Sequence, residues 1–160
     1  MGVSYADGNK DVRQNYAEAV KWFRKAAEQG HVEAQYRLGA CYAHYSKGVR
    51  NDPAEAVKWF HEAAEQGHIE AQYELGSRYD SVSFIPLYGG SGVKENHAEA
   101  FKWYRKAAEQ GHAGAQYKLA ECYRLGKGVK QNNAEALKWY RKAAEQGHSA
   151  AQGMLNVFSG

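Results

Sequence analysis

One fifteen-residue block occurs four times in this chain, Ala-Glu-Ala-x-Lys-Trp-[Phe/Tyr]-x-x-Ala-Ala-Glu-Gln-Gly-His, with its tryptophans at Trp22, Trp59, Trp103 and Trp139. Self-similarity at intervals of 37, 44 and 36 residues is the signature of a repeat array, and it constrains the fold more than any local propensity. A second block, Ala-Gln-Tyr-x-Leu-[Gly/Ala]-x-x-Tyr, starts at Ala34, Ala71 and Ala115, each time just after a Gly-His pair, and a degraded copy starts at Ala151. Two helical blocks alternate, so each repeat reads as a helical hairpin.

The helix ends are written in residue types. Asn15, Asp52, Asn96 and Asn132 each stand three residues before Glu18, Glu55, Glu99 and Glu135, the spacing of a capping box. Pro53 follows Asp52 at the first helical position, where a missing N–H costs least. Gly30, Gly67, Gly111 and Gly147 offer the left-handed conformation that stops a helix, so the second helices are predicted at about 16–29, 53–66, 97–110 and 133–146. On that helix Ala19, Trp22, Phe23, Ala26 and Ala27 fall on one stripe, predicted to bury against neighbouring first helices, with Glu18, Lys21, Arg24, Lys25 and Glu28 elsewhere. On the first helix Gly39 and Gly76 each cost about 1 kcal/mol as helix-interior residues, and close packing is the reason to keep them.

These blocks resemble the Sel1-like repeat family, relatives of the tetratricopeptide repeat, whose consensus joins Ala-Gln-Tyr-x-Leu-Gly-x-x-Tyr, Gly-x-Gly-Val and Ala-x-x-Trp-[Phe/Tyr]-x-x-Ala-Ala-x-x-Gly. The resemblance spans nearly all of residues 5–158. It implies an all-α fold, a right-handed α/α superhelix or solenoid of antiparallel helix-turn-helix repeats, with first helices lining the concave face and a role in assembling protein complexes. The chain reads as a single repeat domain over 1–160: a partial repeat at 1–30, full repeats at 31–67, 68–111 and 112–147, and a partial repeat at 148–160. Tyr5-Ala6-Asp7-Gly8 looks like the tail of a first helix, and the last helix carries Met154, Leu155, Val157 and Phe158, which must fold back or be covered by a neighbour.

The connector inside the 68–111 repeat carries an insertion, residues 81–91, that is apolar at Phe84, Ile85, Leu87 and Tyr88 and glycine-rich after them. It reads either as a partner-binding element or as a loop packed on its own repeat. If Leu38, Leu75 and Leu119 are equivalent core positions, the concave side carries Tyr36, Ala40, Ala43 and His44, then Tyr73, Ser77, Asp80 and Ser81, then Tyr117, Glu121, Arg124 and Leu125. Tyr36, Tyr73 and Tyr117 form a ladder that contacts a partner or fills the inner seam, while Asp80, Glu121 and Arg124 differ by repeat and can set specificity.

Other chemistry finds little support. His31, His68, His112 and His148 occupy one repeated position about a repeat apart, too far for one ion, and read as turn or helix-start residues. No metal or cofactor is expected. Cys41 and Cys122 lie in first helices separated by a whole repeat and read as two small buried thiols, without the paired cysteines of the family's cysteine-rich branch. There is no Gly-x-Ser-x-Gly and no phosphate loop, so no enzyme is expected. A net charge of +3 with interleaved Glu and Lys gives no basic stripe, so no nucleic acid is expected as a partner, and no apolar stretch is long enough to span a bilayer, so no membrane is expected. The chain reads as soluble, cytoplasmic, or periplasmic or secreted if a leader was removed.

The functional expectation is a non-catalytic protein-protein interaction scaffold, an adaptor or a toxin-neutralising immunity protein of a bacterium, gripping a protein or peptide through the concave face and the 81–91 loop. Self-association through the C-terminal helix is a further expectation. The alternatives are a hydrolase of penicillin-recognising type, for which no catalytic constellation stands, and a trimmed or engineered scaffold, against which the unequal connectors speak.

Overall fold

The computed structural model describes residues 5–44, 50–81 and 92–159, with side chains from Ala17 to Phe158 in those segments. They form eight helices: α1 (Tyr5–Glu28), α2 (Val32–Ala43), α3 (Pro53–Glu65), α4 (Ile69–Asp80), α5 (His97–Glu109), α6 (Ala113–Leu125), α7 (Asn133–Glu145) and α8 (Ser149–Ser159). Each packs on the next, most extensively in the hairpins α2–α3, α4–α5 and α6–α7. The all-α solenoid of antiparallel hairpins is what the repeat pattern predicts.

Local signals place the later second helices well. Asp52 Oδ1 accepts from the Glu55 N–H, Asn96 Oδ1 from Glu99 and Asn132 Oδ1 from Glu135, each at 3.1 Å. The glutamates do not return the bond to the cap: Glu55 accepts from Trp59 Nε1 at 3.0 Å, and Glu99 pairs with Lys102. One half of the capping box is therefore enough to start these helices.

The first second-type helix departs from expectation. Asn15 does not begin it, because α1 runs unbroken from Tyr5. The reason lies four residues upstream of the cap position. Gly92 and Gly128 hold φ of +82° and +68° there, and a Cβ on either would lie about 2 Å from the carbonyl oxygen of Pro53 or His97, the start of the preceding second helix. Asp11 occupies that position before Asn15. No described helix precedes α1 to be approached, and a non-glycine residue does not take the turn, so helix continues through it.

The connectors close alike despite unequal lengths. Asp52 N–H donates to the Tyr42 carbonyl at 3.0 Å, Asn96 to Tyr79 at 2.9 Å and Asn132 to Tyr123 at 2.9 Å. The chain thus leaves and rejoins the hairpin at the same two points around the 81–91 insertion, and a longer loop between fixed ends costs little more closure entropy.

The core is two neighbouring clusters of small and aromatic side chains, with Leu38, Leu75, Leu119, Phe60, Tyr104 and Tyr140 essentially inaccessible. Gly39 and Gly76 are explained by the rings above them: a Cβ would lie 2.8 Å from the Phe60 ring at Gly39 and 2.5 Å from the Tyr104 ring at Gly76. Three buried glutamines bridge the repeats. Gln35, Gln72 and Gln116 donate to the carbonyls of Ala27, Ala64 and Ala108, and accept from Gln66, Gln110 and Gln146.

The tryptophan stripe needs correcting. Trp59, Trp103 and Trp139 are buried, but Trp22 is 64% exposed. Trp103 meets the His61 ring of α3, so the tryptophans face the preceding second helix, and Trp22 has none among the described elements. On α8, Met154 and Leu155 turn onto the core while Val157 and Phe158 remain exposed, with Phe158 near the Tyr140 ring. Cys122 is buried, and burial pushes its thiol up to about 12; Cys41 is only half-buried, so one of the two thiols departs from the expected burial. No described helix is long and apolar enough to cross a membrane.

Candidate partner-binding face

The first helices α2, α4, α6 and α8 stand side by side, joined by a repeated three-residue clamp. His68 caps α4 by accepting the Ala71 N–H on Nδ1 at 3.2 Å, so the neutral ring carries its proton on Nε2, which lies 3.1 Å from Glu33 Oε2 of the previous first helix. Its face stacks on Tyr36 at 4.4 Å between ring centres. His112 repeats all three contacts with Ala115, Glu70 and Tyr73, at 2.9, 3.2 and 4.5 Å. His148 caps α8 and stacks on Tyr117 at 4.8 Å, but Gly114 stands where Glu33 and Glu70 do. The four histidines are helix-start residues, as predicted, though His31 makes no side-chain cap bond.

These clamps decide what the tyrosine ladder is. Tyr36, Tyr73 and Tyr117 are half-buried, each held between a histidine face and the aromatic ring of the following second helix, Phe60, Tyr104 or Tyr140. Burial raises all three phenols above their usual range, with Glu74 and Glu70 adding to it at Tyr36 and Tyr73, and Glu121 at Tyr117. They fill the seam with one side and leave the other open: fixed rings, whose rotamers are already selected.

The remaining candidates fall into two groups. Ala40 of α2 and Ser77 of α4 are half-buried, and His44, the residue that ends α2, is exposed. Asp80 turns to the base of the connector, 3.7 Å from Lys127 Nζ and 3.3 Å from His97 Nδ1 without hydrogen-bonding geometry, and so faces its own chain. Glu121 and Arg124 are engaged within the chain: Arg124 donates to Glu121 at 3.0 and 2.8 Å and to Tyr140 Oη at 3.2 Å, and Tyr140 Oη donates to Glu121. Burial pushes the Glu121 carboxyl up, but these bonds outweigh it and hold it below the usual carboxylate range. Phe84, Leu87 and Tyr88 lie outside the described residues, and only Ser81 of that loop is placed, its Oγ donating to the Ser77 carbonyl at 2.7 Å.

Sequence reasoning missed the row beside the ladder. Arg37, Glu74 and Lys118 each follow a ladder tyrosine by one residue, on the same side of successive helices, and alternate in sign. Arg37 pairs with Glu33 at 2.6 Å, and Glu74 reaches Arg78 at 3.9 Å. Aligning the repeats one position past the tyrosines would have found them. Arg78, at the position of Cys41 and Cys122, lies over the Phe60 ring at 5.6 Å, and burial lowers its pKa. Among the described residues no three His, Cys, Asp or Glu side chains converge on a metal-sized point.

A profile of the Sel1 repeat matches residues 1–31, 32–68, 69–112 and 113–148. The chain belongs to the Sel1 repeat family. Two solved Sel1-type structures are similar. One is a protective antigen present in uropathogenic Escherichia coli strains and displaying this fold, 40% identical over 83% of this chain and 27% of that one, with a TM-score of 0.73. The other is a Sel1 repeat protein from Oxalobacter formigenes, 37% identical over 88% of this chain and 54% of that one, also with a TM-score of 0.73. The chain therefore spans between about a quarter and about half of their lengths. The cysteine-rich protein B of Helicobacter pylori, 22% identical over 89% of this chain and 96% of that one with a TM-score of 0.64, shares the fold. Comparison with the curated proteins finds no match. Sel1 repeats are generally non-catalytic scaffolds for protein-protein interaction, and this Sel1 repeat chain carries that architecture over most of its length.

Proposed function

We propose that this chain is an adaptor or toxin-neutralising immunity protein that grips another protein with its first-helix face, aided by the 81–91 loop. The observation that carries the reading is the ladder of Tyr36, Tyr73 and Tyr117, each stacked on the cap histidine of the next repeat. Aromatic side chains already fixed by stacking lose little rotamer entropy on binding and dominate contact surfaces. Around them Arg37, Glu74 and Lys118 present alternating charge, which selects a partner by complementarity. Blocking or tethering a target needs only such a surface.

The test is capture from a lysate of the source organism with wild-type bait beside two variants. One is Tyr73→Ala with Tyr117→Ala; the other replaces Phe84, Leu87 and Tyr88 with Ser. A protein retained by the wild type and lost by the tyrosine pair, at unchanged helicity, supports the face. Equal retention by all three baits rules out both surfaces.

A further inference from the structure

Each buried tryptophan shares a buried cluster with the second helix of the repeat before it, Trp59 with Ala27 of α1 among them. Trp103 of α5 shares a buried cluster with Ala63 and Ala64 of α3 and meets the His61 ring edge-on at 5.3 Å. Trp139 of α7 shares a cluster with Ala107 and Ala108 of α5. The receiving surface is sealed in return: Ala27, Ala64 and Ala108 are at most 2% exposed. Ala144 of α7 stands at the same repeat position, has no later second helix among the described elements, and is only half-buried. An uncovered tryptophan, Trp22 at 64% exposure, and an uncovered tryptophan-receiving surface thus lie at opposite edges of one chain.

The two edges are halves of one internal interface. Every internal second helix sets an aromatic ring over its own first helix, Phe60 over Gly39 and Tyr104 over Gly76. It also ends in a glutamine that donates to that first helix, Gln66 to Gln35, Gln110 to Gln72 and Gln146 to Gln116, at 2.7 to 2.8 Å. On α1 the corresponding residues are Phe23 and Gln29, and on α8 the receiving glutamine is Gln152, whose amide makes only a 3.5 Å contact with Asn156.

We propose that α1 of one chain docks head-to-tail on α7 and α8 of a second copy. Trp22 covers Ala144 and Arg141, Phe23 crosses α8, and Gln29 donates to Gln152. A helix of the second type then completes the hairpin that α8 begins, with the contacts the chain already makes three times within itself. The buried glutamine pair fixes the register, since a slipped helix leaves a polar group unpaired. The interface uses different surfaces on the two copies, so it does not close and association continues with concentration. One residue opposes it: Asn156 stands where Gly39, Gly76 and Ala120 receive a ring. Ala120, buried in one cluster with Tyr140, shows that a Cβ is accommodated, so the Asn156 amide must turn aside and weakens the contact.

Sedimentation equilibrium of the full chain tests this independently of any partner. The weight-average mass is expected to climb above 17.9 kDa with concentration. Trp22→Ser and Ala144→Glu, each with one damaged edge, are both expected to stay monomeric at unchanged helicity. Mixed in equal amounts they are expected to form a one-to-one dimer and stop there, because one good edge of each kind remains. Asn156→Ala is expected to move association to lower concentration. A wild type that stays monomeric up to the millimolar range, a Trp22→Ser chain that associates like the wild type, or a mixture that stays monomeric overturns the proposal.

Discussion

The same substitution, tyrosine to phenylalanine, is expected to have opposite effects at Tyr104 and Tyr140. Both rings occupy one repeat position and are no more than 1% exposed. The Tyr104 hydroxyl is buried without a hydrogen-bond partner; Ser77 lies beside it but not in bonding geometry, and burial raises the phenol strongly. The Tyr140 hydroxyl instead donates to Glu121 and accepts from Arg124. An unpaired buried hydroxyl costs about 1–3 kcal/mol, so Tyr104→Phe recovers about 1 kcal/mol after the loss of packing around the oxygen. Phe60 already fills this position in the first hairpin. Hydrogen bonds to charged groups are worth about 1.5–3 kcal/mol. Because the Glu121–Arg124 pair survives at 2.8 Å, Tyr140→Phe is expected to cost near the lower end, about 2 kcal/mol. At about 2–4 °C per kcal/mol for a chain of this size, Tm rises a few degrees in one variant and falls by about 4–8 °C in the other. Urea unfolding followed by circular dichroism, with thermal melts beside it, measures both. Shifts of the same sign would refute the assignment of the two hydroxyls.

Three further outcomes follow from single features. Gly76→Ala gains about 1 kcal/mol of helix propensity but drives a Cβ to 2.5 Å from the Tyr104 ring, an overpacking cost of about 1–3 kcal/mol; a raised Tm would contradict the packing. Asn132→Ala is expected to cost about 1 kcal/mol, because Asn132 Oδ1 caps α7, whereas Asn15→Ala is expected to be neutral or mildly stabilising inside α1; equal losses in urea unfolding would restore the cap at Asn15. Glu121 has its folded pKa depressed, so its stabilisation is present above the unfolded value and is lost as pH falls through the folded one. The stability gap between wild type and Glu121→Gln should therefore shrink below about pH 4 in urea titrations, and a gap that widens there would reverse the sign.

The fold was legible because the features that make it repeat. Cap, stop glycine, tryptophan and ladder tyrosine recur at fixed offsets, and each copy corroborates the others. What the sequence hid depends on neighbours in space. Trp22 matches Trp59, Trp103 and Trp139 letter for letter, yet no described helix covers its outer side and it stays exposed. Asn15 sits at the capping-box spacing, yet the turn before a cap needs a glycine against a preceding helix, and Asp11 occupies that position. Asp80, Glu121 and Arg124 vary between repeats as recognition residues do, but side-chain geometry ties them to His97, Lys127 and Tyr140, and variation alone does not separate an internal bond from a contact surface.

The clamp between repeats connects these two levels. Glu33, Tyr36 and His68 bind one first helix to the next through a stack, a hydrogen bond and a helix cap, so the residues that set the spacing of the array also orient the tyrosines that face outward. The unit recurs around His112 and loses its carboxylate around His148, where Gly114 replaces the glutamate. Stability in such arrays is a sum of repeat and nearest-neighbour terms, so the α6–α8 junction is held by one contact fewer than the two before it. Changing Gly114 to Glu would add that contact only if its side chain passed His112, whose ring lies 3.1 Å from the position of a Cβ there. The third junction thus keeps the cap and the stack of His148 on Tyr117 and lacks the carboxylate that accepts from the histidine Nε2 at the two before it.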